Sequence, residues 1–307
     1  MSLSRPVAAV RGTLVNMPPN LRGMFWMFFA TSGLVTMGAS LKFVSGDLPL
    51  ATVILWRMMF TMIALAPWLI RHGRAAVATS RFGTHLVRSV LGFLSLAGYV
   101  VALTLLPLAD VTAIGFTKPL WVVVIAVLML GERIGWPRGI ATMVGFCGVL
   151  VIARPSGGFD PYLLVAVSYA FFGALSLIWI KRLANTEPST RILFYYALFS
   201  ILVTMGPALY DWHQPTPVHL AWLAFGAMAG SIGQYCFGRA LAIADASVVA
   251  PVDYSRILVA SIIGFVLFHE VPTVWTFAGA LVIFASTFYI GRREALKRKA
   301  SAAEPGA

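Results

Sequence analysis

Residues 108–132 read LADVTAIGFTKPLWVVVIAVLMLGE, and residues 243–270 read IADASVVAPVDYSRILVASIIGFVLFHE. Both segments begin with an apolar residue and an Ala-Asp pair, continue through a small polar residue into a long apolar run, and end in a glutamate. Each is followed by a tryptophan, Trp136 or Trp275, and by a further apolar segment. The shared order indicates that the chain contains two related halves.

The composition places most of this chain in a lipid membrane. Of its 307 residues, 59% are hydrophobic and 11% are charged, and the mean hydropathy is +0.85. Soluble domains contain about 45–50% apolar and about 25% charged residues, so the excess apolar surface must face lipid. A helix needs about 20 apolar residues to span a bilayer. The pattern predicts an all-α integral membrane protein with ten transmembrane helices, approximately at residues 22–43, 50–70, 86–106, 110–130, 136–153, 161–181, 190–210, 219–240, 247–268 and 273–291.

Lysine and arginine are distributed unevenly between the two sides of these spans. With the N-terminus inside, eighteen basic residues, including Arg88 near the start of the third span, belong to cytoplasmic segments. Only Lys42 and Arg154 belong to the opposite side. Because short cytoplasmic loops retain positive charge, we expect both termini in the cytoplasm. They form an N-terminal tail of residues 1–20 and a basic C-terminal tail of residues 293–307.

The related halves must have opposite orientations in the membrane. Residues 21–154 and residues 155–292 each contain five predicted spans, and an odd number of spans reverses the direction of the second copy. Inverted repeats of this kind are related by a pseudo-two-fold axis in the membrane plane and permit alternating access. The sequence therefore predicts two inverted five-helix repeats around a central cavity. The alternative is that two segments rich in glycine and alanine share only their composition.

The repeated segments also resemble a known family. Residues 88–133, with LADVTAIGFTKPLW, and residues 240–272, with IADASVVAPVDYSR, are similar to the EamA family of the drug/metabolite transporter superfamily. The resemblance implies a multi-pass transporter of the bacterial inner (plasma) membrane, with ten helices around a cavity and peripheral fifth and tenth spans that can form a homodimer interface. Its substrates would include amino acids, nucleoside-like metabolites, S-adenosylmethionine and organic acids. Lys118 departs from the family pattern, in which a small or neutral residue precedes the proline.

Three cationic residues lie within predicted spans: Arg57, Lys118 and Arg256. Charged side chains in a bilayer are costly and usually face a cavity or a partner, so these residues are candidate ligands for a carboxylate or phosphate. Two of them have an explanation other than ligand binding, and the third has no nearby acid to neutralise it. Arg256 can pair with Asp253 on the same helical face, Arg57 can extend toward the membrane surface, and Lys118 has no acid within a helical turn.

Other polar and aromatic residues within the spans complete the candidate binding site. A tyrosine or tryptophan can present a ring face and one polar group to a cavity, although such residues more often serve helix packing. Trp121 follows Lys118 by three residues and shares its helical face. The further substrate-binding candidates are Tyr254, Gln234, Tyr99, Trp26 and Tyr169, and the candidates for coupling transport to protons are Asp253 and His269.

The remaining classes of function are disfavoured by what the sequence lacks. The formal charge of +12 is spread over loops and tails, so nucleic acid is not an expected partner. No cluster of nucleophile, base or metal ligands predicts an enzyme or a metal site, and no cofactor motif is present. The expected partners are a small-molecule substrate and membrane lipid. Three cations oppose one acid, Asp253, within the spans, which predicts a transporter of an amino-acid-like or other carboxylate-bearing metabolite. An exporter of cationic drugs remains the transport alternative.

Overall fold

The computed structural model describes residues 18–130, 136–153, 161–184, 186–244 and 252–303. These residues form helices and short connections, with no strand among them. Several features predicted from the sequence lie outside these ranges, namely Glu132, Arg154, Asp245 and the N-terminal tail up to residue 17.

Twelve helices occupy the described ranges. They are α1 (Pro19–Ser45), α2 (Leu50–His72), α3 (Arg74–Val77), α4 (Phe82–Leu105), α5 (Leu108–Gly115), α6 (Lys118–Leu130), α7 (Trp136–Ala153), α8 (Tyr162–Ala184), α9 (Ser189–Tyr210), α10 (Pro217–Ile243), α11 (Ser255–Phe268) and α12 (Val274–Ala303).

Apolar helices account for the described part of every predicted span. A helix satisfies its backbone hydrogen bonds internally, which a segment surrounded by lipid requires. Within the described ranges, seven segments are long and apolar enough to cross a membrane, and α5 and α6 together provide one of them, Leu108–Leu128. Three further apolar helices are shorter: Gly139–Ile152, Ser255–Phe268 and Val274–Ile290. The all-helical membrane class is confirmed, whereas the ten-span count stays a prediction.

Helices from the two halves of the chain pack against each other in pairs. The most extensive contacts join α1 with α10, α4 with α8, α7 with α12, and α2 with α9. Helix α11 packs against α1 and α5, and α6 packs against α8. The predicted fourth and ninth spans therefore lie inside the bundle, and the pair of α7 and α12 makes most of its contacts within itself.

Glycines allow the closest of these approaches. In the crossing of α1 and α10, a Cβ atom on Gly33 would lie 2.6 Å from the carbonyl oxygen of Ala229 and 3.0 Å from Cα of Gly233. In the crossing of α7 and α12, a Cβ atom on Gly148 would lie 2.7 Å from the carbonyl oxygen of Gly279. Small residues of this kind let membrane helices associate through backbone contact.

Replacing Gly33 by alanine tests the α1–α10 contact. The added methyl group would overlap a backbone carbonyl of α10, which cannot rotate away, so the helices must separate. We expect Gly33→Ala to destabilise the protein by about 1–3 kcal/mol, the usual range for overpacking. Thermal unfolding in detergent measures the change. Gly238→Ala on α10 is the matched control, because a Cβ atom there meets nothing within 4 Å. Equal melting temperatures for the two variants would contradict the proposed contact.

A salt bridge joins the two halves at the end of the bundle where α4 finishes. The ammonium of Lys42 lies 2.5 Å from a carboxylate oxygen of Glu270 and donates to the carbonyl oxygen of Leu106 at 2.6 Å. The second oxygen of Glu270 accepts from the backbone N–H of Leu108 at 2.8 Å. We call this end the Glu270 face. It connects α1, the start of α5 and the segment that follows α11.

A second carboxylate joins the halves at the end of the bundle where α4 begins, the Glu187 face. Glu187, between α8 and α9, accepts from the hydroxyl of Thr79 at 2.6 Å and pairs with Arg191. Arg191 also donates through Nε to the carbonyl oxygen of Ala76 at 2.9 Å. Burial raises the pKa of the Glu187 carboxyl, but the hydrogen bonds from Thr79 and Arg191 and the charge of Arg191 outweigh it and hold the pKa below its ordinary value.

The lowered pKa of Glu187 predicts a pH-dependent contribution to stability. Its contribution is complete above the ordinary glutamate pKa of about 4.3 and is lost as the pH falls through the lower folded value. We expect Glu187→Gln to reduce the free energy of unfolding at pH 7 by about 1–3 kcal/mol. The difference from wild type should shrink below about pH 4. Asp211→Asn removes an exposed carboxylate and is the control; an equal loss in both variants would contradict the prediction.

Candidate functional site

A cavity of about 300 Å³ lies in the centre of the bundle. Helices α1, α2, α4, α5, α6, α8, α9, α10 and α11 all contribute to its wall, and neither α7 nor α12 does. The lining residues are Leu34, Val35, Met37, Arg57, Gly92, Ser95, Leu96, Tyr99, Thr112, Gly115, Lys118, Tyr169, Tyr196, Gln234 and Arg256. Both halves of the chain therefore build one site.

Lys118 reaches the cavity because the predicted fourth span is broken immediately before it. Helix α5 ends at Gly115, and Phe116 and Thr117 form a turn closed by hydrogen bonds to Ala113 and Ile114. Pro119 follows as the second residue of α6, where a missing N–H is tolerated. The break places the Lys118 ammonium 5.2 Å from the centre of the Tyr169 ring. Within the described ranges, no carboxylate pairs with this ammonium.

Arg57 also reaches the cavity without an acidic partner among the described residues. Its Nη2 lies 3.4 Å from the sulfur of Met37, and its Nη1 is buried without a hydrogen-bond partner. A thioether is a weak acceptor and does not neutralise a guanidinium. Two cations of the cavity wall therefore have unused capacity to bind an anion.

Arg256 differs because it is partly neutralised. Its Nη2 donates to Asp253 at 2.5 Å, and its guanidinium lies 5.4 Å from the centre of the Phe116 ring. Phe116 in turn stacks on Tyr254, with ring centres 4.4 Å apart. The structural alternative named for Arg256, pairing with Asp253, is what the structure contains. Arg256 nevertheless lines the cavity, so it can serve both purposes.

Tyrosines supply the aromatic and hydroxyl part of the wall. The Tyr169 hydroxyl donates to the carbonyl oxygen of Val111 at 2.7 Å, and the hydroxyl of Ser95 donates to the carbonyl oxygen of Tyr169 at 2.9 Å. These bonds join α5, α8 and α4 around one residue. The Tyr99 ring lies 5.2 Å from the Tyr169 ring at an angle of 57°. The pair offers ring faces to a planar or cationic group of a ligand.

The structure brings six of the nine predicted binding residues together. The six predicted residues that line the cavity are Arg57, Tyr99, Lys118, Tyr169, Gln234 and Arg256. Trp121 does not line it; its ring packs against Phe146 and Phe171. Tyr254 and Trp26 also lie outside the lining, because Tyr254 packs on Phe116 and Trp26 meets Tyr235 edge to face at 6.3 Å. Of the coupling candidates, Asp253 pairs with Arg256, and His269 is exposed at the end of α11.

Several lining residues were not predicted, and one periodic pattern could have indicated them. Gly92, Ser95, Leu96 and Tyr99 recur at helical spacing on one face of α4. Extending this face backward by four residues reaches Arg88, which the sequence assigns to a cytoplasmic segment but the structure buries within α4. A stripe of polar and small residues on an otherwise apolar helix is the signal. Tyr196 begins a similar stripe on α9, where Ser200 and Thr204 follow it at intervals of four residues and are buried.

Lys118 and Arg256 should affect stability in opposite directions if their environments differ as described. Removing an unpaired buried ammonium relieves its desolvation cost, whereas removing Arg256 leaves Asp253 without its partner. We expect Lys118→Met to raise the melting temperature by about 2–4 °C, corresponding to about 1 kcal/mol. Arg256→Met should lower it by at least as much. Thermal unfolding in detergent without substrate measures both, and a lower melting temperature for Lys118→Met would contradict the assignment.

Comparison with known proteins extends this description. The sequence profile of the EamA-like transporter family matches residues 21–154 and again residues 160–292. An S-adenosylmethionine uptake transporter of Rickettsia conorii is 29% identical over 91% of this chain and 96% of its own length. A riboflavin transporter of Vibrio cholerae is 30% identical over 91% of this chain and 96% of its own length. The pseudopaline exporter CntI of Pseudomonas aeruginosa is 29% identical over 88% of this chain and 96% of its own length. One solved crystal structure shares the fold, with a TM-score of 0.55, 19% identity, and coverage of 85% of this chain and 93% of that chain.

Proposed function

Because the chain belongs to the EamA-like transporter family, we propose that it moves a carboxylate-bearing metabolite across the bacterial inner membrane by alternating access. The family assignment made from the sequence is confirmed. The chain is a multi-pass membrane protein and a transporter of small metabolites rather than an enzyme, as its relatives are. Its substrate class, orientation and mechanism are proposals, which the following observations support.

The helix pairs support two inverted repeats of five spans, residues 21–154 and residues 155–292. If α1 corresponds to α8 and α4 to α10, the α1–α10 pair becomes the α8–α4 pair, and both are present. The α2–α9 and α7–α12 pairs each join two corresponding helices. A pseudo-two-fold axis predicts this set of contacts. The position of α7 and α12 outside the cavity wall also agrees with a homodimer interface on that pair.

Positive charge supports a cytoplasmic Glu187 face. Arg71, Arg74, Arg81, Lys181 and Arg191 lie in or beside the connections at this end of the bundle. The Glu270 face carries Lys42. Short cytoplasmic loops retain lysine and arginine, so both termini are assigned to the cytoplasm.

The single observation that carries the substrate class is the excess of positive charge in the cavity wall. Arg57 and Lys118 face the cavity without an acidic partner among the described residues, and Arg256 forms an ion pair with Asp253. A substrate carboxylate would neutralise this charge and accept charge-assisted hydrogen bonds, each worth about 1.5–3 kcal/mol. An organic cation that carries no carboxylate would add to the repulsion. The charge balance therefore disfavours the alternative of a cationic-drug exporter.

S-adenosylmethionine is the first substrate to test, because relatives that transport it cover the whole membrane region. It carries a carboxylate that suits Arg57 and Lys118. It also carries a sulfonium and an adenine ring that suit the faces of Tyr99 and Tyr169. Riboflavin, which other relatives transport, has no carboxylate and is the natural comparison.

Asp253 provides a way to couple transport to protons. When Asp253 is ionised it neutralises Arg256, and when it is protonated Arg256 becomes free to bind an anion. We therefore place the coupling role at Asp253 ahead of His269, which lies outside the cavity wall. Substrate exchange and facilitated movement use the same site without this step.

Uptake into proteoliposomes tests the proposed substrate class. We expect radiolabelled S-adenosylmethionine to accumulate, and its decarboxylated form to be taken up at least about tenfold more slowly, since 1.4 kcal/mol of lost binding is tenfold. Lys118→Met and Arg57→Met should each reduce uptake of S-adenosylmethionine by at least about tenfold, and reduce uptake of the decarboxylated form by less than about twofold.

Lys181→Met is the matched control, because it removes a lysine at the Glu187 face outside the cavity wall. Equal uptake of the two forms by wild type would refute carboxylate recognition. Uptake of riboflavin alone would point to a neutral substrate, and preferential uptake of the decarboxylated cation would favour the cationic alternative.

A further inference from the structure

The face of α4 that lines the central cavity continues beyond it as a buried polar stripe. Arg88 precedes the lining residue Gly92 by four residues, and His85 precedes Arg88 by three, so all three share one helical face. Four residues correspond to about 6 Å along a helix. The stripe therefore runs from the central cavity toward Glu187, at the end of the bundle where α4 begins.

The side chains of this stripe are buried with their polar groups unsatisfied. Arg88 is 8% exposed, and its Nε and Nη1 have no hydrogen-bond partner. Ser89 and His85 are each 1% exposed, and the Ser89 hydroxyl and both ring nitrogens of His85 also lack a hydrogen bond. Buried polar groups are nearly always satisfied, so three adjacent exceptions indicate a place where a polar group of a ligand can bind.

The charges around this cluster favour an anion. No carboxylate pairs with Arg88 among the described residues. The nearest acid to the cluster is Glu187, whose Oε1 lies 3.9 Å from Nε2 of His85. Glu187 is already held by Thr79 and Arg191. The guanidinium of Arg88 therefore has the capacity for a carboxylate, which its planar donors fit well.

Tyr196 contacts both this cluster and the central cavity. Its ring lies under the Arg88 guanidinium, with the guanidinium carbon 4.1 Å from the ring centre. Its hydroxyl is directed to the carbonyl oxygen of Gly92 at 3.4 Å, and the same side chain lines the cavity. One tyrosine side chain therefore contacts both Arg88 and the cavity, and a cation on a ring face is held by about 0.5–2 kcal/mol.

We infer that Arg88, with Ser89 and His85, forms a second anion-binding subsite that receives the substrate carboxylate between the central cavity and the Glu187 face, with Tyr196 in contact with both the subsite and the cavity. The identity of the anion as a substrate rests on the proposed function. The attraction of anions to this position rests on Arg88 alone. The subsite acts on the path of the substrate, so it changes the rate of transport more than the affinity of the central cavity.

The first test compares transport with binding. Arg88→Met should slow uptake of S-adenosylmethionine into proteoliposomes by at least about tenfold, the effect of losing about 1.4 kcal/mol. The equilibrium dissociation constant of S-adenosylmethionine for the purified variant should differ from that of wild type by less than twofold. Uptake of the decarboxylated form should also change by less than twofold. Arg88→Lys, which keeps the charge, should restore at least a third of the rate. Equal slowing of both substrates, or no slowing of either, would overturn the inference.

The second test needs no transported substrate. In a Cys147→Ala/Cys236→Ala background, Ser89→Cys is treated with an anionic sulfonatoethyl and a cationic trimethylammonioethyl methanethiosulfonate reagent. The rate at which the anionic reagent modifies the introduced cysteine, divided by the rate for the cationic reagent, should fall at least fivefold when Arg88→Met is added. Thr104→Cys, exposed near the other end of α4, is the control whose ratio should not change.

The outcomes of the two tests separate the subsite from the proposed substrate. A fall in the ratio without any uptake of S-adenosylmethionine by wild type would retain the subsite and reject the proposed substrate. No reaction at position 89 with either reagent, or a ratio that Arg88→Met leaves unchanged, would reject the subsite.

Discussion

Among the residues that the structure describes, positive charge in the helical core exceeds negative charge, and the rest of the site depends on this imbalance. An ionised group away from water is stable only where a cavity, a ring face or a carboxylate receives it. The Lys118 ammonium lines the central cavity and lies near the Tyr169 ring, and the Arg88 guanidinium lies over the ring of Tyr196. Arg256 has both a carboxylate and a ring. The tyrosines of the core are therefore the partners that allow cations to remain there.

The same constraint explains the break between α5 and α6. An unbroken helix through Phe116 and Thr117 would change the direction of every side chain that follows. The turn instead begins α6 at Lys118, with the ammonium aimed at the cavity and Trp121 packed against Phe146 and Phe171. The turn keeps its own hydrogen bonds, as irregular backbone inside a membrane protein must.

Two carboxylates, one at each end of the bundle, connect the halves of the chain, one through an ion pair and the other through a hydrogen bond. Glu270 joins the second half to Lys42 and the start of α5, and Glu187 joins it to Thr79. Both connections are present together in this structure. Because each crosses between the halves, a movement of one half against the other must break one of them, while the close contact of Gly33 with α10 and of Gly148 with α12 resists separation at the crossings.

The sequence indicates a residue whose distinguishing property is local and misses one whose position depends on a neighbour. Arg57, Lys118 and Arg256 stand out in any reading because charge in an apolar run is conspicuous. Arg88 is equally charged, but it lies near the predicted start of its span, and only the observed start of α4 at Phe82 places it inside the bundle. A boundary error of four residues was enough to hide it.

Trp121 was predicted to line the cavity because it shares a helical face with Lys118, but its ring packs elsewhere. Three residues separate it from Lys118, so the two share a helical face in a regular helix. Lys118 is the first residue of α6, and its side chain reaches the cavity beside the Tyr169 ring, whereas the Trp121 ring meets Phe146 of α7 and Phe171 of α8. Tyr254 was likewise directed away from the cavity by stacking on Phe116.

The sequence by itself determined the membrane class, the family and the cationic character of the site, because hydropathy, spacing and the repeated segments are properties of the chain alone. Only the tertiary structure decided which charges are paired, which tyrosine rings contact the others, and that Arg88 is buried one helical turn from the cavity residue Gly92. These outcomes depend on contacts between residues more than two hundred positions apart in the chain, as Lys42 and Glu270 are. Side-chain partners at such separations are chosen by packing, and packing leaves no periodic signal in the sequence.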